Sequence, residues 1–432
     1  MITKQLIEHI EGEASVYFDM EGDKVDFATV VFPHFRGMES FLEQKSALDA
    51  LVITPRVCGI CGHAHLMATV RALEDAYKNG GYEVIPTQKA NIIREFTLVM
   101  EMIQNHYKWF TMVIIPELIK LGGNSLENKP LKGAYASSLA SKAIAVFGGQ
   151  WPHSSYMVVG GVTCDPTYVE VLQAKSYVQE LIKFFEKESL GLSLEAFLSF
   201  ESCKEFQGID SDIAQLEKTL IALGMHTKGF AHDRFLVLGE HTFSGIGKLK
   251  GTRVFHVDAK FVTTTSAYTP HEKTYAYNAL YKDVYYETGS LARLMSTHSP
   301  MVKNMHRRYK DSAYSRVMAR IFELATLLQH AKSLLQKIDV TQDSVVPIEH
   351  IHTITAKGIG VVEAPRGPLV HEIFLKNGVI ESYKIVTPTQ FNIGSSTRKK
   401  PTPVQKAMQG LSKTEAEFVF RTFDVCSVCT TH

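Results

Sequence analysis

Two Cys-x-x-Cys pairs stand near opposite ends of the 432-residue chain, Cys58-Gly-Ile-Cys61 and Cys426-Ser-Val-Cys429. At that spacing one turn of backbone can present both sulfurs of a pair to a single ion. Four thiolates together concentrate about four negative charges, tolerable only beside metal cations and other positive groups. Soft sulfur ligands suit nickel, iron or zinc rather than magnesium. The plain alternative is a structural zinc site, and two pairs alone do not separate these readings. Structural zinc modules, however, usually bring their pairs within about 15–20 residues of each other, because the metal is what folds them. Here Cys426 lies 365 positions beyond Cys61, a separation suited to a site inside a preformed protein. Cys164 and Cys203 have no such partner and read as ordinary buried or surface thiols.

The elements that must bring the pairs together follow from the apolar pattern. Residues 13 to 32 alternate around Glu21-Gly22-Asp23-Lys24, as a β-hairpin does. From Cys61 to Tyr77 the spacing turns helical, with Leu66, Val70, Leu73 and Ala76 on one face. Further helical patterns cover about 86 to 115, 132 to 147, 167 to 188, 211 to 223 (with Ser211-Asp212 as cap) and 313 to 338. Short strands are expected over 234 to 265 and over 346 to 388, the latter with Lys376-Asn377-Gly378 as a turn. A last helix, about 403 to 420, leads into the terminal cysteines. The expected class is mainly α with small β pieces (α+β). With no repeat or long linker, residues 1 to 432 are expected to form one body.

Composition narrows the function classes. Lys and Arg number 46 against 45 Asp and Glu, and the formal net charge of +1 argues against a nucleic-acid or anionic-membrane binder. No apolar run reaches the roughly 18 residues of a membrane span, the longest stopping at Pro116-Glu117. The N-terminal stretch is charged where a signal peptide would be apolar, so a cytoplasmic chain is expected, with export or membrane association only through a partner.

The surroundings of the cysteines carry a resemblance. Arg56-Val-Cys-Gly-Ile-Cys-Gly-His-Ala-His65 and Asp424-Val-Cys-Ser-Val-Cys-Thr-Thr-His432 resemble the two signature motifs of nickel–iron hydrogenase large subunits. Ile10-Glu-Gly12, Phe35-Arg-Gly-Met-Glu39, Glu287-Thr-Gly-Ser-Leu-Ala-Arg293, Glu363-Ala-Pro-Arg-Gly367 and Val386-Thr-Pro-Thr-Gln-Phe-Asn392 match further stretches in the family's order. Gly148-Gly-Gln-Trp-Pro-His153 with Gly160-Gly161 is a looser match.

The resemblance implies a fold of long central helices with peripheral hairpins and short sheets, and a site assembled from residues 10–65 and 363–432. It implies that Cys58 and Cys426 are terminal nickel ligands. Cys61 and Cys429 would bridge nickel to an iron carrying cyanide and carbon monoxide. Arg366 would lie over the open coordination position with Pro365 beside it, a fixed cation that polarises dihydrogen. Thr389, with Thr387 and Pro388, would donate to a cyanide, and Leu369 would wall the carbon monoxide. Glu11 would take the proton from Cys426, and His65 would bond Cys429. Glu39, the Ile385 carbonyl and His432 would hold magnesium. His63 has no family role and reads as surface or packing. Without the resemblance, Arg366 reads as a salt-bridge residue, Glu11 as a solvated hairpin carboxylate and His65 as a local helix cap.

The implied activity is reversible, heterolytic cleavage of dihydrogen to protons and electrons, in the uptake direction. A sensing subunit of low turnover is the alternative. The electrons need an exit, and with no spare cysteine array here, iron–sulfur clusters are expected in a separate small subunit. Such heterodimers could assemble into a higher oligomer. A quinone-reducing relative that has lost the metal cysteines is disfavoured, since all four remain. Two departures stand out: Val425 replaces the motif's proline, and Asn105 replaces a carboxylate expected to pair with Arg366.

Overall fold

The computed structural model describes residues 2–9, 12–239, 247–250, 253–255, 257–297 and 299–432. Along the chain come strands β1 (Ile2–His9), β2 (Gly12–Glu21) and β3 (Lys24–Val31). Helices α1 (Gly62–Asn79), α2 (Gln88–Trp109), α3 (Pro130–Gly148), α4 (Tyr168–Phe185) and α5 (Asp212–Ala222) follow. Next come β4 (Arg234–Val237), β5 (Gly247–Lys250), β6 (Arg253–Phe255), β7 (Val262–Ser266) and β8 (Tyr277–Tyr281). Helices α6 (Ser290–Thr297) and α7 (Ala313–Gln336) precede β9 (Ala356–Ala364), β10 (Gly367–Lys376) and β11 (Val379–Val386). The chain closes with α8 (Pro403–Met408), α9 (Lys413–Thr422) and a single turn at Ser427–Thr430. The expected class, mainly α with small sheets, is the observed one.

Every sheet is antiparallel and small, in the orders β1-β2-β3, β4-β5-β6, β7-β8 and β9-β10-β11, besides a two-residue pair. The Asn377-Gly378 turn joins β10 to β11 with both residues at positive φ (52° and 72°), the conformation that makes Asn-Gly a hairpin signal. The helices form where the periodicity places them, and caps set their starts: Thr87 accepts from Ala90, Ser211 from Ala214 and Ser312 from Ser315.

The differences from the sequence pattern have local causes. The pattern over 86 to 115 runs on as a widened turn at Phe110–Ile114 and a short helix Ile115–Lys120, because Pro116 lacks the N–H that an even α-ladder needs. The single helix expected over 403 to 420 is two, α8 and α9. Gly410 sits at φ +76°, its amide donates to the Val25 carbonyl (2.7 Å), and the Val25 amide donates back to Leu411 (2.8 Å).

One apolar cluster runs from Ala14 through α1, α2, α3, α4 and α7 to Cys429. Within it, β9 lies unusually close to α1. A Cβ on Gly358 would stand 2.0 Å from the Ala72 carbonyl, and one on Gly360 1.9 Å from that of Ala68. Glycine is required there, and the close approach fixes the helix that starts at Cys61 against the hairpin that carries Arg366.

Candidate metal centre

Cys58 follows a single 3-10 turn, Thr54–Arg56, and Cys61 is the N-cap residue of α1. Cys426 caps the turn that holds Cys429. The four sulfurs, each 1–6% exposed, lie within 4.8 Å of one another. Cys58 and Cys426 are 3.7 Å apart, Cys61 and Cys429 3.3 Å, and Cys426 and Cys429 2.9 Å. Among the described residues this is the only group of three or more Cys, His, Asp or Glu side chains placed to share an ion. Cys164 and Cys203 are free thiols outside it, pushed up to about 11 chiefly by burial.

The cluster's electrostatics call for a cation. Burial works to raise Cys58, but hydrogen bonds from Cys426, Cys429 and Cys61 and the charge of Arg366 hold it well below the usual thiol value. The Ile60 amide also points at its sulfur, 3.4 Å away. Cys61, through the neighbouring thiols, and Cys429, through burial, are pushed well above that value. Four buried sulfurs therefore cannot all ionise on their own; they need positive charge among them.

Arg366, whose charge acts on Cys58, sits in the two-residue turn Pro365-Arg366 between paired Ala364 and Gly367. The Arg366 guanidinium donates to the Asp424 backbone carbonyl (3.1 Å), to its carboxylate Oδ1 (3.3 Å) and to Asn105 Oδ1 (3.2 Å), and its Nε lies 2.9 Å from Asp424 Oδ2 as an ion pair. So Asn105 still anchors Arg366, and Asp424 is the acid that pairs with it. The Asn105 amide nitrogen adds bonds to the Ile60 carbonyl (2.6 Å) and the Glu101 carbonyl (2.8 Å), which a carboxylate could not donate. Val425 frees residue 424 from the extended conformations that a following proline favours, and Asp424 sits at φ +57°.

Sequence reasoning missed several charged residues that hold this arrangement. Glu101, fully buried on α2, accepts from the His63 and Ala64 amides (2.9 and 3.0 Å) and so caps α1 just after Cys61. Arg320 pairs with Asp424 (2.6 Å), donates to His106 (3.0 Å) and lies over the Trp109 ring (4.4 Å). His106 meets Glu323 (2.7 Å), Glu323 accepts from Nε and Nη2 of Arg293 (2.7 Å each), and Arg293 donates to the Pro365 carbonyl (3.1 Å). Burial and the charge of Arg320 lower His106 to about 4, and Arg293 holds Glu323 ionised against its burial. A closed ring of buried charged and polar groups thus runs from Arg366 back to the residue beside it. Arg293 lay in a recognised motif without a role; Arg320 and Glu323, with no motif, had no signal.

The other expected positions distribute as follows. Leu369, Pro388 and Thr389 are buried, and Thr389 Oγ1 accepts from the Cys426 amide (3.3 Å). Thr387 begins the short helix at Pro388–Asn392, its amide held by Gln390 (2.7 Å). Glu39, Ile385 and His432 come together: the carboxylate accepts from the Ile385 amide (2.6 Å) and stands 3.3 Å from His432 Nε2. The expected bond from His65 to Cys429 is not made. Its Nδ1 meets His371 Nε2 instead (3.1 Å), because β10 lays His371 across α1, and burial takes His65 down to about 3. His63 packs buried against Tyr156, in keeping with a packing role. Glu11 lies outside the described residues.

The family model for nickel-dependent hydrogenases matches residues 36–113 and 240–432, the two stretches that bear the cysteine pairs. The chain belongs to the nickel-dependent hydrogenase family. It is 22% identical to sulfhydrogenase 1 subunit alpha of Pyrococcus furiosus, over 100% of this chain and 97% of that protein. It is 26% identical to coenzyme F420 hydrogenase subunit alpha of Methanocaldococcus jannaschii (92% and 85%). It is 25% identical to the periplasmic [NiFeSe] hydrogenase large subunit of Desulfomicrobium baculatum (94% and 88%). The Ni-Fe-Se hydrogenase of D. vulgaris Hildenborough shares the fold over the whole of both chains, with a TM-score of 0.83 at 19% identity. No helix among the described residues is long and apolar enough to cross a membrane. The hydrogenase large subunit is thus the setting in which the buried sulfurs act, and the four cysteines suit its nickel–iron site.

Proposed function

We propose that this chain is the catalytic subunit of a nickel–iron hydrogenase working in the uptake direction, folded as one body. The observation that carries the reading is the set of four buried sulfurs within 4.8 Å, drawn from both ends of the chain, with the charge of Arg366 acting on Cys58. Cys58, Cys61, Cys426 and Cys429 would hold the metals. When bound, a nickel–iron centre with cyanide and carbon monoxide on iron supplies the site at which dihydrogen is cleaved to protons and electrons.

The protein's own groups do the rest. Arg366, clamped by Asp424 and Asn105, holds a fixed positive charge over the sulfurs. Cys426 Sγ receives the proton and Glu11 passes it outward. Pro365, Leu369, Thr387 and Pro388 would line the metal site, and Thr389 accepts from the Cys426 amide. Glu39, the Ile385 carbonyl and His432 would hold magnesium, tying the C-terminus beside the site. A small subunit with iron–sulfur clusters takes the electrons.

The test is metal analysis and infrared spectroscopy of the purified complex. Nickel with iron and sharp cyanide and carbon monoxide bands are expected; zinc alone overturns the reading. Dye-linked hydrogen oxidation well above background is expected of an uptake enzyme, and background turnover points to a sensor.

A further inference from the structure

Arg36 has no place in the chemistry above, yet its side chain grips both halves of the cradle. Its guanidinium donates to the Val57 carbonyl and, at 3.1 Å, to the Arg56 carbonyl, both in the loop entering Cys58. The same guanidinium donates to the Val428 carbonyl (3.0 Å), between Cys426 and Cys429. Its backbone amide donates to the Thr431 carbonyl (3.0 Å). One planar fork therefore ties together two loops that lie at opposite ends of the sequence. The next residue, Gly37, makes the sharp exit at φ +63°.

The other fastenings of the C-terminal segment differ in kind. His432 pairs with Glu39, Cys426 is held by Thr389, and Asp424 by Arg366 and Arg320. None of these touches the residues leading into Cys58. With the segment seated, the sulfurs are 1–6% exposed, so an ion can neither enter nor leave without moving it. Arg36 itself is exposed, so its bonds can open without disturbing the core.

We propose that Arg36 is a positioning residue that clasps residues 425–432 onto the Cys58–Cys61 loop, and that opening this clasp controls passage of metal to and from the cradle. The part concerning metal rests on the cysteines being metal ligands; the clasp itself does not.

The test uses the complete complex with its partner subunit, comparing wild type with R36A, R36K and, as a control, R398A, which removes an exposed arginine elsewhere. Amide hydrogen exchange is read at residues 56–62 and 425–432, and nickel loss to a chelator is timed in parallel. Removing a charge-assisted bond of this kind is expected to speed exchange about tenfold in both segments of R36A. Nickel loss should accelerate with it. R36K, whose single ammonium cannot serve both loops in one plane, should restore protection only in part, and it keeps the test available if R36A does not assemble. E39Q, which alters the His432 pairing and the Ile385 bond but leaves Arg36 in place, should speed exchange only at the last residues of the tail while 56–62 stays protected. Unchanged exchange in the arginine variants, or loosening of one segment alone, overturns the clasp. Normal infrared bands beside unchanged exchange would sink this inference and leave the proposed function standing.

Discussion

Asn105 shows what a single atom change does at the site. Its oxygen serves Arg366 as a carboxylate would, while its nitrogen ties the Ile60 and Glu101 carbonyls. N105D keeps the first bond and turns the others into two buried acceptors facing a third. A loss of about 1–3 kcal/mol is expected, read as a lower denaturant midpoint. Glu287 offers a second test. Burial, opposed by its two bonds to Arg316 and reinforced by Asp311 and Asp233, pushes its carboxyl up to about 7. Between pH 4.5 and 7 the folded state then holds a proton that the unfolded chain has lost. Its contribution is full below pH 4.5 and fades as pH rises through 7. E287Q should flatten that part of the stability–pH profile, a difference of about 3 kcal/mol across the window; an unchanged slope would refute the assignment.

Among the elements, the contact between α1 and β9 aligns the Cys61 end of the cradle with the Arg366 turn. G360A places a methyl 1.9 Å from the Ala68 carbonyl, so helix or strand must shift. We expect a cost of about 1–3 kcal/mol or more in thermal unfolding, with reduced nickel retention although no ligand has changed. Most of these elements were legible in the sequence. The 13–32 hairpin, the Asn377-Gly378 turn and the long helices rest on local pattern, and local pattern survives folding. The break at Gly410 was not legible, since it depends on backbone bonds to Val25, far along the chain; the strand before Gly12 pairs with its neighbour β2, and no strict alternation in residues 2–9 marks it. The site divides the same way. Paired cysteines announce themselves by spacing and Arg366 by its motif. Glu101 and Arg320 look like any polar residue on a helix until the partner from another helix or the C-terminus is in place.

For the molecule as a whole, the question is how much of the body depends on the tail that completes the site. The main apolar cluster is built largely from α1, α2, α3, α4 and α7, with the tail adding Val425, Cys426 and Cys429. A chain ending at Asp424 should therefore keep its helical circular dichroism and a cooperative, lowered melting transition, while retaining no nickel. Loss of helical signal would show instead that the tail is needed for the fold itself.

The distance between the two cysteine pairs also sets an order of events during synthesis. At about 5–20 residues per second, Cys58 and Cys61 leave the ribosome about 20–70 seconds before Cys426. Throughout that interval the growing chain carries a two-sulfur chelator whose other half does not yet exist. Closing a loop of this length adds an entropic cost of about 5 kcal/mol, so the halves meet only after the helices between them have shortened the path. Any ion captured early sits on two sulfurs instead of four and can be exchanged; only the arrival of Cys426 and Cys429 turns a provisional occupant into a permanent one.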